Sequence, residues 1–166
     1  MTEISEGRKL RRTILRRQRA RVAWSSILLM GHQSCEVMVP VAIGLAIDAA
    51  VAGGSPTMLV TSVVGLTLLF LALTMCYRWF ARLSEGAVVD ESHTLRVEIG
   101  ARALGAVPLR RQHGELLTIA SSDADQAARS IIWLCGLVGS GAALVLSCVV
   151  LLSIDALLGA VLIVTA

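Results

Sequence analysis

The chain has 166 residues, of which 55% are hydrophobic and only 16% charged, and its mean hydropathy is +0.75. A water-soluble domain carries about 25% charge, so the composition excludes a disordered chain and argues against an ordinary soluble domain. The net charge of +3 is unevenly spread: eight of the 15 basic residues lie in 1–21 against Glu3 and Glu6, and the rest of the chain is net acidic. A basic head followed at once by an apolar run marks a flank beside an anionic membrane leaflet, not a nucleic-acid-binding arm.

Residues 1–21 read as a basic helix with sparse apolar positions at Ile4, Leu10, Ile14 and Leu15, suited to lie along the cytoplasmic face of a bilayer. A disordered basic tail is the alternative. The first span follows at about 22–50. Only Glu36 is charged between Arg21 and Asp48, and about 20 apolar residues cross the hydrocarbon core. The Ala-Gly-Gly-Ser-Pro run at 52–56 reads as a turn, and a second span occupies 58–77. The loop between these spans carries no Lys or Arg, so the positive-inside rule places it outside and the N-terminus in the cytoplasm.

Residues 78–129 hold seven basic and seven acidic residues, too many for lipid. Their Ala, Leu, Arg and Glu content and the lack of Pro predict that the second helix continues as a cytoplasmic extension to 107, where Pro108 stops it. A polar turn at 109–114, a short helix from about 115, and a third span at 130–152 come next. Asp155 marks an outside turn. Residues 156–166 begin a fourth span but cover about 16 Å, half the core, so the chain reads as a fragment ending inside that span. The expected fold is therefore all-α: a multi-pass protein of the plasma membrane with long helices reaching into the cytoplasm.

Cys35, Cys76, Cys135 and Cys148 lie in apolar runs without metal or redox spacing, and behave as small hydrophobes. Trp24, Trp79 and Trp133 sit near span ends as interface anchors. Gly136, Gly139, Ser140 and Gly141 suit close helix contact. No phosphate-binding loop and no HExxH, GxSxG or CxxC motif is present. The expectation is that this chain is not an enzyme, with no catalytic residue, no metal ligand and no cofactor of its own. The functional candidates are in the first span, where His32, Glu36, Pro40, Gly44 and Asp48 recur every four residues and make one slowly drifting stripe. A carboxylate at membrane depth faces protein or water, not lipid. His32, Glu36, Pro40 and Gly44 are therefore candidate cavity-lining residues; the alternative is a Glu36 held by His32 or by a neighbouring helix.

The segment Gly114-Glu115-Leu116-Leu117-Thr118-Ile119-Ala120-Ser121-Ser122-Asp123-Ala124-Asp125 resembles the first intracellular loop of ATP-binding cassette (ABC) exporters, whose pattern runs roughly G-E-L-L-S-R-x-x-x-D-x-D. The family often has Arg where this chain has Ile119. Pro40, Gly44 and Asp48 resemble the same family's P-x-x-x-G-x-x-x-D, and Leu152-Ser153-Ile154-Asp155 its turn between the third and fourth spans. The resemblance covers nearly the whole chain. It implies a basic elbow at 1–21 and part of an exporter transmembrane domain at 22–166. It also implies a second transmembrane subunit, identical or different, and nucleotide-binding domains that use ATP and Mg. Residues Arg111, Gln112, His113, Gly114, Glu115, Leu116, Leu117 and Thr118 would then form the coupling helix that docks on those domains. The fragment alone is expected to transport nothing. Two other classes stay open: a small four-span ion-coupled transporter using Glu36, and a membrane anchor whose cytoplasmic hairpin recruits a partner.

Overall fold

The computed structural model describes residues 2–51, 55–103 and 118–154. Every element among them is helical: α1 (Thr2–Arg17), α2 (Arg19–Val51), α3 (Pro56–Ala103), a π-helical turn (Ile119–Asp123) and α4 (Ala124–Ile154). Three helices are long and apolar enough to cross a membrane. The expected spans at 22–50, 58–77 and 130–152 fall inside α2, α3 and α4. The stop at Pro108, the fourth span at 156–166 and most of the coupling segment lie outside the described residues.

α1 is helical, as its sequence predicts, and joins α2 through a turn at Gln18. The i→i−4 bonding persists there: the Gln18 N–H donates to the Ile14 carbonyl at 3.1 Å, and the Gln18 carbonyl accepts from Val22 N–H at 2.9 Å. α2 runs as one helix through Pro40, although Pro lacks the N–H that would bond the preceding turn. α3 extends over 48 residues, about 72 Å at 1.5 Å per residue.

The chain divides into two compact units. Unit 1 comprises Met1–Ser25 and Ala81–Cys135, and unit 2 comprises Ser26–Phe80 and Gly136–Ala166.

Unit 1 is a helical cluster with a narrow, small-residue core. On α3 the buried residues are Ser84, Ala87, Val88, Glu91, Ser92 and Leu95, spaced i, i+3, i+4, i+7, i+8, i+11, which is one continuous face of a helix. On α4 they are Ala124, Ala128, Ile131 and Cys135, again one stripe. Ile14 of α1 is buried too, and with Leu10 it borders a shallow hollow beside Ala127 and Ser130. Leu10 also borders a second hollow with Leu95, Ile99 and Ala124. The apolar side of α1, which the sequence reading assigns to a bilayer surface, thus packs on α3 and α4. The Cys135 thiol lies 3.8 Å from the Val22 carbonyl and donates to it. The wide π-helical turn presents the Ser121 carbonyl to the Arg96 guanidinium at 3.4 Å, consistent with the i→i+5 geometry releasing a carbonyl from the ladder.

Unit 2 is built the other way round. At most 6% of the most apolar window of any of the three long helices is buried. Its large side chains, among them Leu45, Val60, Val63, Leu68, Leu137 and Val145, point outward, as a hydrocarbon solvent permits and water does not. Among the described glycines the tightest surroundings are at Gly139, where an added Cβ would meet Leu29 Cγ at 2.8 Å and Cδ2 at 2.9 Å. Gly136 and Gly141 have open space around them, so only one of these glycines is set by close packing. At Gly31 an added Cβ would lie 3.4 Å from the Cys76 sulfur, marking the approach of α2 to α3.

Candidate functional site

Within unit 2, α2 has one side on α3 and another on α4, and the four-residue stripe drifts between them. At about 100° per residue, each step of four turns the stripe by about 40°. His32 therefore starts on the α3 side. Its Nδ1 lies 3.0 Å from the Leu73 carbonyl. A carbonyl only accepts, so this contact is a hydrogen bond in the tautomer that carries the proton on Nδ1. The His32 ring also lies 5.2 Å from that of Tyr77, tilted by 45°, and Tyr77 in turn meets Phe80 at 6.1 Å.

Pro40 and Gly44 have turned to the α4 side. Together with Val37, Val41, Ser147, Val150, Leu151 and Ile154 they line an apolar hollow of about 490 Å³. Glu36 falls between the two sides. Its side chain is 63% exposed, and its carboxylate lies 3.9 Å from His32 Nε2, too long for a hydrogen bond. The stripe is thus split: His32 and Glu36 form a polar pair, and Pro40 and Gly44 form one wall of the hollow.

Of the residues assigned to coupling, Arg111, Gln112, His113, Gly114, Glu115, Leu116 and Leu117 lie outside the described residues. Thr118 is described and exposed. Among the described residues no three His, Cys, Asp or Glu side chains come together as a metal-ligand set, and all four cysteines are free thiols.

Unit 1 contains a charged arrangement that the sequence reading passes over. Arg17 donates to Glu98 at 2.6 Å and to Glu91 at 3.4 Å. Arg21 pairs with Asp90 and reaches the Gly86 carbonyl at 3.4 Å. Glu91 is only 1% exposed, so it depends on Arg17 for compensation. The hydrogen bond that Arg17 donates to Glu98, with the charges of Glu98 and Glu91, raises the Arg17 pKa above its ordinary value despite opposing desolvation, and Arg17 stays cationic. Arg129 closes a local pair with Asp125 at 2.9 Å. The signal was present in the sequence: the acidic residues 90, 91 and 98 and the arginines 17 and 21 each recur at helical spacing. What the sequence lacks is any indication that the two sets meet.

No family model, no curated protein and no solved structure matches this chain.

Proposed function

We propose that this chain is part of the translocation pathway of an ATP-driven exporter of the ABC type, with unit 1 on the cytoplasmic side of the plasma membrane. The observation that carries the reading is Glu36, a largely exposed carboxylate inside a helix long and apolar enough to span a membrane. Leaving it in lipid costs about 2.5–3.5 kcal/mol on insertion scales. Its open side therefore faces a watered cavity or a further helix, which is what a first span lining a substrate path requires. The motif resemblance at 114–125 and at Pro40, Gly44 and Asp48 supplies the family. The 48-residue α3 is about twice as long as a bilayer core demands, and fits a stalk carrying a coupling segment.

In this reading residues 111–118 dock on nucleotide-binding domains that hold ATP and Mg, and a second transmembrane subunit completes the cavity. The test is transport by the native assembly in proteoliposomes after residues 114–117 are replaced by a Gly/Ser stretch. ATP binding is expected to persist while ATP-driven transport is lost; undiminished transport contradicts the coupling assignment.

A second reading, ion-coupled transport, is favoured by Glu36 itself, an exposed carboxylate 3.9 Å from His32 Nε2 within a helix long and apolar enough to span a membrane. Glu36→Gln separates the two. Loss of the pH dependence of transport with ATP-independent uptake remaining supports ion coupling, whereas ATP-dependent transport with an unaltered pH profile supports the exporter.

A further inference from the structure

The eight cations of the first 21 residues do three different jobs. Arg17 and Arg21, four apart, hold the carboxylates of α3. Arg11 borders the hollow beside Leu10 and Ile14. The remaining five, Arg8, Lys9, Arg12, Arg16 and Arg19, are exposed, and no ion pair to them is found among the described residues. At about 100° per residue these five fall within a single arc of about 100°, on the side of the helix away from Ile14. The hydrogen bonds that carry helical geometry through Gln18 keep Arg19 in line with the others. The result is a cationic stripe about 16 Å long.

We propose that this stripe is the docking site for an acidic helical segment of a protein partner, with carboxylates four residues apart. Arg8, Arg12 and Arg16 form an i, i+4, i+8 row of like charges, an arrangement that destabilises an isolated helix and is relieved by an external anion. Their repeat of about 6 Å along the axis is the repeat of carboxylates every fourth residue on a second helix. The protein already uses this chemistry on the opposite face, where Arg17 and Arg21 grip Asp90, Glu91 and Glu98 of α3. An anionic leaflet attracts the same cations, but it presents no fixed repeat to match the Arg8, Arg12 and Arg16 row, and the apolar face that an interfacial helix inserts is already engaged, since Leu10 and Ile14 line hollows with α3 and α4 residues. A single-stranded nucleic acid is poorer too, because the arc carries no aromatic side chain on which bases could stack.

The inference is independent of the exporter reading, and its test needs no nucleotide. The full chain is placed in nanodiscs of neutral phosphatidylcholine. Binding of a fluorescein-labelled helical peptide of Glu-Ala-Ala-Ala repeats is followed by anisotropy, with a Gln-Ala-Ala-Ala peptide as control. The Glu peptide is expected to bind, to weaken as salt screens the contact, and to lose at least about tenfold in affinity in the variant R8Q/K9Q/R12Q/R16Q/R19Q. R78Q/R102Q, which removes exposed cations elsewhere, is expected to leave binding unchanged. R12E, a single exposed change, gives a second measure with an expected loss of about fivefold. Parent-like binding by both R12E and R8Q/K9Q/R12Q/R16Q/R19Q, or binding of the Gln peptide as tight as that of the Glu peptide, overturns the proposal. So does tighter stripe-dependent binding of an RNA oligonucleotide, or displacement of the peptide when phosphatidylglycerol replaces part of the neutral lipid.

Discussion

Units 1 and 2 are built from the same helices but obey opposite rules. In unit 1 the interior is small and partly polar, and Ser25, Ser84, Glu91 and Ser92 are buried beside Ala87, Val88, Ala124 and Ala128. In unit 2 the large aliphatic side chains face outward, and the main polar group, Glu36, is on the surface. The difference is the one that a change of solvent along α2, α3 and α4 would produce, in helices long and apolar enough to cross a membrane. Where water surrounds the helices, burial of apolar stripes and compensated charge hold them together. Where lipid does, the outward apolar surface is already satisfied, and association depends on close fit.

The sharpest way to break the comparison is to place the same charge on both units. Leu68 is 58% exposed and Val97 is 56% exposed, so accessibility alone treats them alike. Leu68→Arg is expected to cost about 3 kcal/mol in membrane insertion and to deplete the protein from the membrane fraction. Val97→Arg is expected to leave yield and helicity within about 0.5 kcal/mol of the parent.

Close fit is tested next. Gly139→Ala forces Leu29 aside and is expected to destabilise by about 1–3 kcal/mol. Gly136→Ala, with open space, is expected to be neutral or mildly stabilising, both read from thermal unfolding in detergent.

Unit 1 is probed through its buried carboxylate. Arg17→Gln leaves Glu91 without its cation, at an expected cost of about 1–3 kcal/mol. Glu91→Leu in the same background is expected to recover most of it. A loss in Arg17→Gln that Glu91→Leu fails to relieve would mean that Glu98, not Glu91, is the partner that matters.

The smallest effect concerns Ser25, whose hydroxyl is buried with no hydrogen-bond partner among the described residues. Ser25→Ala removes that uncompensated group, and a gain of up to about 1 kcal/mol is expected in the same unfolding measurement.

The spans were legible because lipid imposes a one-dimensional rule. Long uncharged runs at 22–35, 49–77 and 130–154 have few alternatives. The helical character of 78–103 and of the basic head was also readable from composition. The tertiary role of α1 was not. Its apolar positions Leu10 and Ile14 are as compatible with a membrane surface as with a protein groove, and only the placement of Leu95, Ile99, Ala124 and Ala127 around them decides. The core stripe on α3 was missed for a related reason: alanines and serines every third and fourth residue among charges give a weak hydropathy signal. In the site, a four-residue repeat reads as one face. The accumulated drift of about 40° per step instead sends His32 toward α3 and Pro40 and Gly44 toward α4, leaving Glu36 between them.

The most direct test of this account is the aqueous accessibility of L68C and V97C. Each is introduced singly into a chain whose four native cysteines are replaced, and is exposed to a membrane-impermeant maleimide in opened membranes so that both aqueous faces are reached. The account requires rapid labelling at position 97, and at position 68 none until detergent dissolves the bilayer. Equal labelling of both in intact bilayers would contradict a membrane-spanning unit 2.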